Sequence, residues 1–277
     1  MEALRFIKMH GLGNDFVVVD ARARPFSPES AQVRALADRR TGVGCDQLII
    51  VEPPRNQLAD AFMRIHNADG GEVAACGNAT RCVAALMMRE KGKPHAIVET
   101  QAGLLDAEAA ADGLVTVDMG PARFDWRDIP VAGPADTLHL DLTAGPLRDP
   151  VAVSIGNPHA VFFVDDAERA PLELFGPVVE KHPLFPLHAN VETAEIRGRD
   201  RLRLRVWERG VGLTRACGTG ACAAAVAAGR RGLADRITTV ELDGGSLRIE
   251  WLRDDHVLMT GPVATSFTGI LEPSVLG

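Results

Sequence analysis

The chain repeats itself, and that constrains its fold more than any other feature. Moved back by 141 positions, Arg205, Gly212, Ala216, Cys217 and Gly218 fall on Arg64, Gly71, Ala75, Cys76 and Gly77 without a gap. Gly156, Asn157 and Asn190 fall on Gly13, Asn14 and Gln47 at an offset of 143. Val240, Glu241, Gly245, Gly261 and Pro262 meet Val98, Glu99, Gly103, Gly120 and Pro121 at offsets of 141 or 142. Two copies with a period of half the chain do not make a solenoid. They predict two similar domains, with a ligand cleft where the halves face each other.

Each copy carries one cysteine where a helix should start. Ala216-Cys-Gly-Thr-Gly220 leads into the alanine-rich run Ala221–Ala228, and Cys76 leads into Asn78-Ala-Thr-Arg-Cys-Val, both helix-forming. A helix N-terminus offers unpaired amides and the positive end of the dipole. A thiol pKa is expected to fall there and a carboxylate to bind. Two thiols on opposite sides of one ligand suit the inversion of a stereocentre, one removing a proton and the other supplying one.

The 277 residues allow two domains of ~100–150 residues, each with its own core. The 27 glycines and 17 prolines predict many turns and therefore short strands. A net charge of −7 without a long basic run argues against nucleic acid or an anionic membrane as partner. The first residues lack a signal-peptide pattern and no apolar run approaches ~18 residues, so a soluble cytoplasmic protein is expected. Five cysteines read as reduced thiols rather than a disulfide framework. Cys76 with Cys82, and Cys217 with Cys222, are spaced too widely on a helix to clamp one tetrahedral ion, so no metal is expected. Cys45, Cys82 and Cys222 read as small buried hydrophobes.

Along the chain, alternation predicts two strands between Leu4 and Asp20, strands Leu48–Val51, Ala61–Ile65, Ala96–Thr100 and Leu114–Met119, and a helix from Ser27 to Arg40. Gly120 and Pro121 mark a domain boundary. Beyond them Leu138–Leu142, Val151–Ile155 and Ala160–Val164 read as strands, and Pro171–Lys181 as a helix echoing the first. Short strands with one long apolar helix per half give an α+β class.

The segments His10-Gly-Leu-Gly-Asn-Asp-Phe16, Gly42-Val-Gly-Cys-Asp-Gln47, Asn67-Ala-Asp-Gly, Ala75-Cys-Gly-Asn-Ala-Thr-Arg-Cys82, Gly156-Asn-Pro-His159, Asn190-Val-Glu and Trp207-Glu-Arg-Gly are specific. In order and over nearly the whole chain, they resemble the diaminopimelate epimerases. The resemblance implies two pseudo-symmetric domains, each a β-barrel-like sheet wrapped round a central helix, with the active site in the cleft between them. It assigns 1–120 with the returning tail 264–277 to the N-terminal domain and 121–263 to the C-terminal one. It implies a cofactor-independent, two-base epimerase in lysine and peptidoglycan precursor biosynthesis, and carries a homodimer as the assembly. No lysine sits in a context for a pyridoxal Schiff base, which fits a route without cofactors.

By the same resemblance Cys76 and Cys217 are the catalytic pair, and His159 and Glu208 modulate their protonation. Asn14, Gln47, Asn67, Gly77, Asn78, Asn157, Asn190, Glu208, Arg209, Gly218 and Thr219 bind substrate. The residues alone leave alternatives: Asn14 also suits a turn, His159 a turn after Pro158, and Arg209 a solvated surface. Leu213 and Gly71 depart from the family pattern, and with no tyrosine in the chain any aromatic contact near the C-terminus falls to Phe267. Two other functions stay open, a proline racemase-like or phenazine-pathway isomerase of the same superfamily, and a non-enzymatic thiol or metal module.

Overall fold

The computed structural model describes residues 4–272. They form two compact units, 4–117 with 261–272, and Asp118–Thr260. The first contains β1 (Leu4–Gly11), β2 (Asn14–Asp20), α1 (Ser30–Ala37), β3 (Gln47–Glu52), β4 (Ala61–Asn67), β5 (Glu72–Val73), α2 (Gly77–Lys91), β6 (His95–Thr100) and β7 (Gly103–Ala109). Its β8 (Val115–Pro121) carries the chain out. The second contains β9 (Thr143–Ala144), β10 (Leu147–Arg148), β11 (Val151–Ser154), β12 (Pro158–Phe163), α3 (Leu172–Glu180), β13 (Asn190–Gly198), β14 (Arg201–Glu208), β15 (Gly212–Thr214), α4 (Gly218–Arg230), β16 (Ile237–Leu242), β17 (Gly245–Trp251) and β18 (His256–Gly261). The chain then returns as β19 (Ala264–Leu271), antiparallel to β1. Residues 273–277 of the expected tail lie outside the described residues.

The duplication governs the hydrogen-bond ladders. β1–β2 is antiparallel, β2–β3 parallel, β3–β4 antiparallel, β4–β6 parallel, and β6–β7 and β7–β8 antiparallel. The series β11, β12, β13, β14, β16, β17, β18 repeats those senses in the same order. Even the register is kept. Phe16 opposes Gln47 as His159 opposes Asn190, an offset of 143 on both strands.

One buried helix fills each unit. α2 packs against β1, β4, β6 and β7, and α4 against β11, β12, β13, β14, β16 and β17. The alanines of α4 let strands approach on several sides, and every residue from Gly220 to Ala228 is buried. Leu48, Ile49 and Ile50 of β3 are buried on both faces, as a strand covered on both sides requires. Each such side chain contributes ~1.5–3 kcal/mol of hydrophobic stabilisation. Gly92 ends α2 in the left-handed region at φ 62°, its amide bonded to the carbonyl of Met88. Among the described residues no helix is long and apolar enough to cross a membrane.

Several sequence expectations are corrected. The first helix is shorter than Ser27–Arg40: Glu29 caps it through a reciprocal bond with Gln32, and Pro28 stands before the cap. Gly103–Ala109 is a strand that the sequence expectations omit. Leu138–Leu142 is not a strand. Leu140 and Leu142 do alternate inward, but the Leu140 amide bonds to the carbonyl of Pro150 and the Leu142 amide turns back to Leu140. Alternating burial there serves a folded loop.

Candidate active site

The second unit carries the denser constellation. Cys217 is the N-cap of α4, with extended backbone (φ −121°, ψ 114°), and its sulfur accepts from the amide of Gly220 at 3.4 Å. Gly218 and Thr219 are the first two helical residues. The Thr219 hydroxyl lies 3.6 Å from the Cys217 sulfur and accepts from Asn157 Nδ2 at 3.4 Å. Asn157 Oδ1 is 2.8 Å from His159 Nε2, and His159 Nδ1 is 2.6 Å from Glu192 Oε1. Glu208, the last residue of β14, accepts from the Thr214 hydroxyl at 2.5 Å, and its carboxyl interacts with the Cys217 thiol.

Dehydration dominates the electrostatics. Burial pushes the Cys217 thiol well above the ordinary cysteine range, and the Glu208 and Glu192 carboxyls push the same way; Thr219 and Gly220 pull it back only in part. Burial likewise raises Glu208 and Glu192, partly offset by the hydrogen bonds of Thr214 and Cys217 to the first and by His159 at the second. The fall in thiol pKa expected from the helix start is therefore reversed at Cys217. A dipole end acts over one turn, and here it meets a dry pocket with two carboxyls.

In the first unit Cys76 is the N-cap of α2 (φ −150°, ψ 110°), with Gly77 and Asn78 opening the helix. Asn14 Oδ1 lies 3.9 Å from the Cys76 sulfur and accepts from Asn78 Nδ2 at 3.2 Å, the counterpart of Asn157 with Thr219. The Asn14 amide is oriented from behind, its Nδ2 donating to Asp46 at 3.0 Å. Asp46 and Asp15 are held by Arg39 at 2.8 and 2.6 Å, and Lys8 adds a bond to Asp15 at 2.5 Å. Burial alone would raise Asp15, but the Arg39 and Lys8 bonds and charges hold it far below the usual carboxylate range. Arg81, wholly buried, donates to Asn78 Oδ1 at 2.8 Å, and a side chain at Gly11 would collide with it.

The remaining candidates are dispersed more widely. Gln47 donates to Asn67 Oδ1 at 2.9 Å, and these two strand-end residues form a pair of their own. Asn190 donates to the carbonyl of Pro158 at 3.2 Å and accepts from the Arg209 amide at 2.9 Å. Arg209 is exposed and its guanidinium bonds to the carbonyl of Leu187 at 2.9 Å. Glu208 and Arg209 thus leave β14 in different directions, one to the thiol and one outward.

Sequence reasoning missed Glu192, Thr214, Asp46 and Arg81 as parts of these clusters. Glu192 and Asp46 lie inside quoted motifs, and a carboxylate within the apolar strand Asn190-Val-Glu-Thr-Ala was the available signal. Cys82 and Cys45 are buried with thiols pushed up to about 12 and about 11, mainly by burial, and Cys222 is buried inside α4.

A sequence profile described as diaminopimelate epimerase matches residues 6–125 and 151–266. The diaminopimelate epimerase of Rhodospirillum centenum is 60% identical over 272 residues, 98% of this chain and 94% of that protein. That of Phenylobacterium zucineum is 59% identical, covering 96% of this chain and 97% of its relative. Among solved structures, a probable proline racemase from Agrobacterium radiobacter superposes with a TM-score of 0.71 at 18% identity, covering 99% of this chain and 96% of the other. A phenazine biosynthesis protein of Bacillus anthracis does so with a TM-score of 0.69 at 18% identity, covering 98% and 100%. The distant structures share the two-domain α+β fold; the full-length relatives show that this chain belongs to the diaminopimelate epimerase family.

Proposed function

We propose that the chain interconverts LL-2,6-diaminopimelate and meso-diaminopimelate, one thiol removing the α-proton and a second delivering another proton to the opposite face. The observation that carries this reading is the matched pair of cysteine N-caps, each followed by a second helical residue hydrogen-bonded to an asparagine amide. One sulfur, as thiolate, takes the α-proton; the other, as thiol, returns a proton to the opposite face of the carbon. Charge moves into the substrate α-carboxylate as the carbanion develops. Donors aimed there, the first-turn amides at Gly77, Asn78, Gly218 and Thr219, act mainly in the transition state.

The environments support one assignment of the resting states. Cys217, in its dehydrated pocket with Glu208 as acceptor, rests as the thiol and acts first as acid. Glu208 accepts the thiol proton when the direction reverses, and His159 tunes the same cluster. Asn14, Gln47, Asn67, Asn157 and Asn190 present side-chain amides for the polar groups of the substrate. Arg209, exposed, is the cation for the distal carboxylate. Thiol acid–base chemistry of this kind requires no cofactor.

The activity supplies a step of lysine and peptidoglycan precursor synthesis, which is cytoplasmic chemistry. A homodimer is the assembly we infer. Phe267 and Ile270 on β19 are 51% and 55% exposed, apolar surface that a second copy would cover. Purified enzyme given LL-diaminopimelate should produce the meso isomer, and Cys76→Ala and Cys217→Ala should each abolish the conversion. Turnover surviving in either variant rules out the two-thiol route. A monomer at micromolar concentration in light scattering rules out the dimer.

A further inference from the structure

The two units are equivalent in fold but not in what they bury. His159 and Glu192 face each other across the parallel pair β12–β13, and both are 0% exposed. At the matching register of β2–β3 stand Phe16 and Ile49, also 0% exposed. One copy of the fold is thus content with two apolar side chains where the other carries a buried acid–base pair. Buried ionisable pairs are often no more stabilising than well-packed hydrophobes of similar volume. Packing therefore does not explain Glu192.

The hydrogen bonds indicate what does. Asn157 Oδ1 is an acceptor and faces His159 Nε2, so Nε2 carries a proton. Glu192 occupies Nδ1, and one further proton lies between Nδ1 and Oε1, leaving the pair neutral overall. With its oxygen held by the ring, Asn157 must turn Nδ2 to Thr219, whose hydroxyl hydrogen is then left for the Cys217 sulfur. Glu192 Oε2 has no hydrogen-bond partner among the described residues, so the hydrogen bonding of the carboxyl is directed at His159. The other polar groups facing it are Cys217 on α4 and Glu208 on β14.

We propose that Glu192 is a positioning residue for the second-half thiol: it fixes the proton and orientation of His159 and, through Asn157 and Thr219, aims one hydroxyl donor at Cys217. This rests on the two-thiol reading above. The relay orders donors in one direction only, so that the thiolate form of Cys217 meets a hydroxyl hydrogen rather than a lone pair. The first unit carries Phe16 and Ile49 at those positions and orients its asparagine, Asn14, through Asp46 instead.

Three variants of the full chain test it: Glu192→Gln, Glu192→Ile, and the double change His159→Phe with Glu192→Ile, which copies the first unit. Glutamine can still hold Nδ1, and its kcat should stay within ~5-fold of the parent. Isoleucine leaves Nδ1 unpartnered, and kcat should fall ~30-fold or more with a lower Tm. The double variant should recover Tm but not kcat. In parallel, nitrogen-15 NMR of the histidine-labelled parent at pH 7 should show His159 Nε2 protonated and a far-downfield Nδ1 proton that Glu192→Ile abolishes. The NMR arm stands even should the parent fail to epimerise diaminopimelate, so the two readings fail separately. A double variant that regains kcat along with Tm, a Glu192→Gln as inactive as Glu192→Ile, or an unprotonated Nε2 overturns the proposal.

Discussion

Replacing Glu208 by glutamine should separate thiol reactivity from catalysis. The carboxyl accepts from Thr214 at 2.5 Å and interacts with the Cys217 thiol, and its charge is one of the causes that raise Cys217. Glutamine keeps the shape and can keep Thr214 on its carbonyl, but then presents an NH2 group to the sulfur. The thiol loses its proton acceptor, while the thiolate loses a repelling carboxyl and gains a donor. A hydrogen bond to a charged group is worth ~1.5–3 kcal/mol, so kcat/KM should drop by ~10- to 150-fold. Alkylation of Cys217 by iodoacetamide at pH 8, read by peptide mass spectrometry, should instead become faster. Cys76 in the same sample gives the reference rate. If both quantities fall together, or kcat/KM stays unchanged, Glu208 is not the proton partner of Cys217.

Arg209→Met should lower kcat/KM for diaminopimelate by ~10- to 200-fold and matter much less for slow α-proton exchange on a substrate without the distal carboxylate, measured in parallel assays. Cys82→Ala should leave turnover within ~2-fold in the same assay, since a buried thiol pushed up to about 12 has no thiolate to offer. Gly176→Ala brings a Cβ to 2.7 Å from the Trp207 ring and should cost ~1–3 kcal/mol in urea unfolding. Asp15 has a depressed folded pKa, so its contribution is complete above the unfolded value of ~3.9 and is lost as pH falls toward the folded one. Asp15→Asn should therefore destabilise strongly in urea at pH 7 and progressively less as pH falls below the unfolded value of ~3.9.

What the sequence disclosed follows from what repeats. The duplication, the helix after each cysteine and the strand-end amides Asn14, Gln47, Asn67, Asn157 and Asn190 depend on local pattern, and local pattern survives in a single chain. The pairing of His159 with Glu192 was not legible, because the two lie 33 residues apart and meet only across a parallel ladder. The Cys217 thiol moved opposite to expectation because helix position is a local property, whereas dehydration belongs to the assembled core. Leu138–Leu142 alternates as a strand does, yet its amides are used by Pro150 and by a tight turn rather than by a ladder. Arg209 follows Glu208 directly in the sequence, yet the two side chains leave the strand end in different directions, one to the thiol and one outward.

The central claim is proton transfer at one carbon by two thiols, and proton NMR of LL-diaminopimelate in D2O tests it directly. Conversion to the meso isomer should place solvent deuterium at the inverted α-carbon, because the thiol that returns the proton has exchanged with solvent. Meso product that keeps all its protium at that carbon would contradict the two-thiol mechanism.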